Sequence, residues 1–448
     1  MTRTVDAGST GERKVVKNVF KGSIGNLIEW YDWYAYAAFT PYFAATFFPK
    51  SDPVTQFMQS AAIFAVGFLM RPLGGWLLGH FADRYGRRSA LTLSVTLMAA
   101  GSLLIALSPG YATIGVWAPL LLLTARLVQG LSVGGEYATS ATYLSEVATP
   151  GRRGFYSSFQ YVTLVAGQLL ALGLQIVLQQ LITDDQLKSW GWRIAFAIGA
   201  LGAVVAMYLR RSMEESESFL AEKQQAGGRK PGGGLRVLLQ HPRACLTVVG
   251  LTLGGTISFY TFTTYLQKYM IAVPKIETKT VTLINFAALL IFVVLQPLAG
   301  KLSDRIGRRP LLTFFGVGAT LCTVPLMTLL GSAHNPVVAF LIMMAGLVIV
   351  TGYTSINAIV KAELFPTHIR ALGVGLPYAL TVAIFGGTAE LLALWLLKIG
   401  HGEIYFYYVA GCALISLIVY RFMRETSQDS PLDDGPPRRE QDSEAVRT

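Results

Sequence analysis

The chain has 448 residues, 52% of them hydrophobic and only 14% charged, with a formal net charge of +11; soluble domains carry about 25% charged residues. Such a composition excludes a protein that hides its apolar groups in a water-surrounded core, so lipid must be the solvent for much of its surface. Whether the excess of positive charge signals nucleic acid or membrane topology depends on where the charges fall.

A hydrocarbon layer about 30 Å thick takes about 20 residues of helix to cross. The sequence predicts such runs over 20–48, 57–79, 90–108, 116–145, 156–180, 192–209, 243–268, 281–300, 311–330, 336–360, 371–397 and 404–421. Only helices are admissible there, because lipid offers no partner to backbone N–H and C=O groups. The first and seventh runs carry polar residues. The expected fold is therefore an all-α integral membrane protein of twelve transmembrane helices in two six-helix bundles, 20–209 and 243–421. Residues 1–19 read as a polar, basic N-terminal tail; no apolar stretch with a cleavage site follows them, so they are not a signal peptide. The segment 210–242 is a central loop containing Gly227–Gly234, GGRKPGGG, a flexible linker. Residues 422–448 read as a disordered tail.

With both termini placed in the cytoplasm, 28 Lys and Arg fall in inner segments, and six fall outside: Lys50, Lys188, Lys268, Lys275, Lys279 and Lys398. That asymmetry is the positive-inside pattern, so the basic balance is topological and does not point to nucleic acid. Three basic residues remain inside the spans, Arg71, Arg126 and Arg193, with four acidic ones, Glu29, Asp32, Glu136 and Glu390. A charge in lipid is costly, so such residues face a cavity and serve function. Cys245, Cys322 and Cys412 stand singly in apolar runs and read as small buried hydrophobes. No His has a ligand partner at i+4, and no GxxxxGK[ST] is present. A metal site, a cofactor and an ATP-driven pump are all unsupported. The spans themselves argue against a soluble enzyme.

The chain repeats itself. GHFADRYGRRSAL (79–91) returns as GKLSDRIGRRPLL (300–312), and Glu146 and Arg153 in YLSEVATPGRRG answer Glu363 and Arg370 in VKAELFPTHIRALG. Two such halves place a solute site at their interface near the membrane midplane. In each D-R-x-G-R-R segment an aspartate sits beside a helix end, arginines are available to pair with acids, and glycine permits a tight turn. These residues are Asp83, Arg84, Gly86, Arg87 and Arg88 in the first half and Asp304, Arg305, Gly307, Arg308 and Arg309 in the second.

The doubled D-R-x-G-R-R segment resembles the signature loop of the major facilitator superfamily. GNLIEWYDWYAY (25–36), GFLMRPLGGWLLGHFADRYGRR (67–88), RLVQGLSVGGEYATSATYLSEV (126–147) and WGWRIAF (190–196) resemble its metabolite–proton symporter family. The resemblance runs from about residue 17 to 424 and implies a pseudo-symmetric, proton-coupled carrier of the bacterial inner membrane. Further segments, among them SFYTFTTYLQKY and IFGGTAE, resemble the branch that carries α-ketoglutarate. Uptake of α-ketoglutarate or a related dicarboxylate is the expectation. Citrate, shikimate, an aromatic acid or proline and betaine are the alternatives. The partners implied are the solute, a proton and the lipid bilayer, and the expected state is a monomer.

Depth along the helices, at 1.5 Å per residue, brings Asp32 and Arg126 to similar levels, roughly 18 Å and 15 Å deep. Glu29 shares the Asp32 face. An aspartate that alternates between pairing with arginine and binding a proton is a coupling device, and the resemblance implies the same pair; a static pair that only fixes packing is the plainer reading. Arg71, before Pro72, offers a planar fork to a carboxylate. Arg193 is either an interfacial anchor or part of a substrate vestibule. Gln168, Tyr260 and Tyr265 are candidate substrate contacts or helix-to-helix hydrogen bonds, and Lys268 stands where it attracts anions at the outer mouth. Glu136 and Glu390 are assigned to gating or packing.

This topology is checked by reporter fusions. Fusions at Gly232 and at the C-terminus should both report cytoplasm, and one after Lys275 the outside; a reporter at Gly232 that reads outside means the spans are miscounted.

Overall fold

The computed structural model describes residues 7–85, 87–134, 151–211, 238, 240–365 and 369–427; the side chains of 7–26, 79, 82–84, 87, 88, 91, 209–211 and 371 are not among those described. Nine helices among the described residues are long and apolar enough to cross a membrane. Two shorter apolar helices, Thr92–Leu107 and Trp117–Val133, and the polar-studded Ala7–Phe47 complete twelve. We label the long helices in chain order: α1 (Ala7–Phe47), α2 (Pro53–Tyr85), α3 (Arg87–Leu107), α4 (Trp117–Val133), α5 (Arg153–Leu181), α6 (Trp192–Arg211), α7 (Pro242–Ala272), α8 (Thr278–Ile306), α9 (Arg308–Gly331), α10 (Pro336–Glu363), α11 (Leu372–Lys398) and α12 (Gly402–Phe422). Each predicted run overlaps one of them, residues 135–145 of the fourth run lying outside the described residues, and α1 begins well before residue 20.

Local chemistry sets several boundaries. Asn335 accepts a hydrogen bond from the Val337 amide, and Pro336 then opens α10, a start favoured because proline lacks the donor a first turn leaves unused. Between α8 and α9 the chain reverses at Gly307, whose φ of 94° lies in the region that favours glycine. Two helices loosen into π-helical turns, Thr261–Tyr265 in α7 and Val382–Gly386 in α11. Such turns frequently mark functional sites.

The packing repeats with an offset of six. In the first half α1 lies against α5 and α6, α2 against α4, and α3 against α4 and α6; in the second half α7 lies against α11 and α12, α8 against α10, and α9 against α10 and α12. The halves join along two seams, α5 with α8 and α2 with α11. Lipid provides no hydrophobic drive between helices, so close approach must come from small residues. Along α2 and α4 it does. A Cβ on Gly130 would stand 2.1 Å from the Gly67 carbonyl oxygen, and one on Gly134, just past α4, 2.0 Å from that of Arg71. This contact of backbone on backbone sets the distance between the helices that carry Arg71 and Arg126.

Gly130→Ala should therefore destabilise the detergent-solubilised protein by about 1–3 kcal/mol, because backbone atoms cannot move aside as a side chain would. Gly411→Ala, where a Cβ meets nothing within 4 Å, is the control. Equal melting temperatures for the two variants would contradict the packing described here.

Candidate functional site

The interior of the first half is built around the W-Y-D-W-Y stretch of α1. Asp32 and Trp33 are wholly buried, and Glu29, Trp30 and Tyr36 nearly so. The Arg71 guanidinium lies over three aromatic faces, 5.1 Å from the Trp30 centroid, 4.4 Å from Trp33 and 4.2 Å from Phe68. The Arg126 guanidinium lies 4.1 Å from the same Trp33 ring, 4.4 Å from Tyr36 and 5.3 Å from Phe64. Trp33 thus supports both cations.

These rings hold the charges but accept few hydrogen bonds. A cation in mid-membrane costs about 2.5–3.5 kcal/mol, and a desolvated aromatic face returns up to about 2 kcal/mol. Nε and Nη2 of both arginines have no hydrogen-bond partner among the described residues, and a buried donor left unpaired costs about 1–3 kcal/mol. An oxyanion able to take those N–H groups recovers that energy, and a carboxylate has the matching geometry.

Asp32 and Arg126 are brought together, but with Gln129 between them. Arg126 Nη1 donates to Gln129 Oε1 at 2.8 Å, Gln129 Nε2 donates to Asp32 Oδ2 at 2.5 Å, and Ser102 Oγ donates to Asp32 Oδ1. The direct charge pair read from depth alone is therefore replaced by an amide relay. Gln129 and Ser102 escaped the sequence reading because they carry no charge, although Gln129 lies three residues after Arg126 on the same helix face. A Cβ on Gly199 of α6 would stand 2.3 Å from Asp32 Oδ1, so the carboxylate is also walled in by backbone.

The other candidates divide. Gln168 of α5 donates from Nε2 to the Thr263 carbonyl in the π-helical turn of α7 at 2.8 Å, crossing between the halves, while its Oε1 has no partner among the described residues. Tyr260 stacks edge-on against Phe68 at 5.2 Å, and the Arg71 charge acts on its hydroxyl. Tyr265 lies deeper in the second half against Tyr405, its buried hydroxyl unpartnered among the described residues.

Arg193 and Lys268 are both held by backbone carbonyls. Arg193 has the contacts of the anchor alternative: its Nη1 donates to the Ala106 and Ser108 carbonyls at 2.8 and 2.7 Å, satisfying the end of α3, and it stacks on Trp192. Lys268 is not at an open mouth. It is wholly buried, pairs with Glu390 at 3.3 Å, and donates to the Ala37 carbonyl of α1 at 2.8 Å, tying the halves together. Glu390 thereby gains a partner that its sequence position did not reveal.

The second D-R-x-G-R-R segment bridges the two halves at the end of the molecule opposite Lys268. Asp304 accepts from the Gly154 and Phe155 amides at 2.8 and 2.9 Å, at the first turn of α5, and from Arg308 Nη1 at 2.8 Å. A carboxylate at a helix N-terminus satisfies its unused donors and its dipole together. Arg308 also reaches Glu363 at 3.6 Å, on which the Arg153 charge acts as well. Arg370 donates from Nε to the Ala362 and Phe365 carbonyls, Arg309 donates to the Arg421 carbonyl, and Arg305 is exposed. Just past α12, Glu425 accepts from the Arg308 and Arg309 amides at 2.8 and 3.0 Å. Burial would raise its carboxyl, but these amides and Ser427 hold it below the usual carboxylate range. The side chains of Asp83, Arg84, Arg87 and Arg88, with Gly86, Glu136 and Glu146, lie outside the described residues.

Comparison with known proteins agrees with this architecture. The α-ketoglutarate permease of Escherichia coli K12 is 50% identical over 411 residues, 92% of this chain and 94% of that one. The citrate–proton symporter of Klebsiella pneumoniae is 33% identical over 384 residues, 85% of each chain. The fold matches the partially occluded inward-open xylose transporter of E. coli with a TM-score of 0.70 at 20% identity, covering 92% of this chain and 98% of that one. The sequence profile of the Major Facilitator Superfamily matches residues 22–389. With twelve helices in two repeated halves and relatives that are permeases and symporters along its length, the chain belongs to the major facilitator superfamily of membrane transporters.

Proposed function

We propose that this transporter imports α-ketoglutarate or a closely related dicarboxylate together with protons, by alternating access across the bacterial inner membrane, with both termini in the cytoplasm. The observation that carries the reading is the pair of buried guanidinia over one indole ring, each with N–H groups that have no partner among the described residues. Two cations so placed fit a dianion. The names of two relatives agree, one recording a dicarboxylate and the other a tricarboxylate with a proton.

In this mechanism Arg71 and Arg126 take the substrate carboxylates, with Gln168 and Tyr260 beside them at the seam between the halves. Asp32 carries the proton. Through Gln129 it feels whether Arg126 is engaged: an arginine drawn toward substrate releases the amide, and the carboxylate loses a donor that favours its charged form. Glu29, three residues earlier and also buried, is the next acid on that face. The Asp304 cap on α5 closes the cytoplasmic side, and the bond from Lys268 to Ala37, steadied by Glu390, closes the outer side. Opening either side breaks its lock while the other holds, which is the rocking of two halves about a central site.

Coupling is needed because the inside-negative potential opposes a dianion by about 2.3 kcal/mol per charge per 100 mV, about 4.6 kcal/mol in all. Asp32→Asn should therefore abolish uphill accumulation driven by a pH gradient in proteoliposomes, yet keep exchange of labelled for unlabelled α-ketoglutarate. If that variant still concentrates substrate, the proton travels on another carboxylate; if wild-type protein exchanges betaine and not α-ketoglutarate, the dicarboxylate reading falls.

A further inference from the structure

We propose that Trp33 selects a 2-oxo dicarboxylate over a plain one, its indole N–H donating to the 2-oxo oxygen while Arg71 and Arg126 hold the two carboxylates. The inference rests on the dicarboxylate reading of this site and adds to it the group that reads the middle of the substrate.

Trp33 is wholly buried, and its Nε1 has no hydrogen-bond partner among the described residues. Buried indole N–H groups usually find a partner, and one left without costs about 1–3 kcal/mol. This donor sits on the same ring that both guanidinia cover, at 4.4 and 4.1 Å from its centroid. Two cationic forks and one neutral donor are therefore gathered around a single side chain. The ring is fixed in place, with Phe68 edge-on at 4.9 Å and Phe64 tilted at 5.4 Å. Gly67 of α2 leaves its far edge just enough room, since a Cβ there would lie 3.3 Å from Trp33 Cη2.

The chemistry of the donor narrows the ligand. An indole N–H only donates, so its partner is an acceptor. Between the ends of a dicarboxylate chain, a ketone oxygen supplies an acceptor and a methylene supplies none. A site built to hydrogen-bond a substrate group rejects the analogue lacking it, because the site's own polar atom is then left unpaired.

Competition against labelled 2-oxoglutarate exchange in proteoliposomes tests this, with unlabelled 2-oxoglutarate and glutarate on wild-type protein and on Trp33→Phe. Phenylalanine keeps an aromatic face for the arginines and removes the N–H. Wild-type protein should favour 2-oxoglutarate by about tenfold, the worth of one such bond. Trp33→Phe should bind the two acids alike, because it loses more affinity for 2-oxoglutarate than for glutarate. An unchanged preference in the variant, an equal loss for both acids, or no preference in wild-type protein would each overturn the proposal. Wild-type protein that responds to neither acid would instead overturn the dicarboxylate reading beneath it. If Trp33→Phe does not yield folded protein, the benzothiophene isostere placed at position 33 has the shape of indole without the donor, and the same ratio decides.

Discussion

Holding a guanidinium in the middle of a membrane is the constraint on which the rest of this structure depends. The chain meets it with aromatic rings: Trp30 and Trp33 of α1 with Phe68 of α2 for Arg71, and Trp33, Tyr36 and Phe64 for Arg126. Rings stabilise the charge without consuming every donor, which keeps the cations in place while N–H groups remain for a ligand. Carboxylates on both arginines would hold them equally well and leave nothing for a substrate to bind. The demand extends outward. The rings need α1, α2 and α4 at close spacing, and the glycines of α2 and α4 supply it by putting backbone against backbone.

The same economy governs the contacts between the halves. Among the described residues, a charged side chain near each end reaches from one half to backbone groups of the other. Asp304 binds two amides at the start of α5, and Lys268 binds one carbonyl of α1. Backbone partners leave no fixed counter-charge behind when the halves part, so each charged side chain falls back on its own half, Asp304 on Arg308 and Lys268 on Glu390. A buried ion pair is costly to break by removing one partner. Both members of each of these two pairs lie in one half, so a parting of the halves that breaks the Asp304 and Lys268 hydrogen bonds leaves the two pairs intact. Glu425 adds to the Asp304 end by capping α9, which fixes Arg308 where Asp304 and Glu363 meet it.

Much of this was legible in the sequence for simple reasons. Lipid forces long apolar runs into helices, so all twelve could be placed. Charges inside such runs are anomalous, so Arg71, Arg126, Asp32 and Glu390 stood out without any structure. The second D-R-x-G-R-R segment was legible because it repeats the first. What was hidden is equally specific. Gln129 and Ser102 are neutral and raise no alarm in a span, yet Gln129 stands between Asp32 and Arg126, and Ser102 holds the other carboxylate oxygen. Arg193 stands at a helix end, where sequence cannot say which carbonyls lie within reach. Lys268 reads as an outer charge in the sequence because the apolar run ends there, whereas α7 continues to Ala272 and buries it. The π-helical turns that bring Thr263 to Gln168 and soften α11 leave no periodic signature. Trp33 carries no signal of its own in the sequence, since an aromatic residue in a span is ordinarily core.

The measurement that tests the two-guanidinium site most directly is ligand-induced thermal stabilisation of the purified protein, which needs neither a mutant nor a gradient. 2-Oxoglutarate, 2-oxopentanoate and glycine betaine would be compared at equal concentration and pH. The dianion, able to engage Arg71 and Arg126 together, should raise the melting temperature, while the monoanion of the same chain length and the zwitterion should raise it little or not at all. Equal stabilisation by 2-oxopentanoate, or a larger effect of betaine, would contradict a site built to receive two carboxylates.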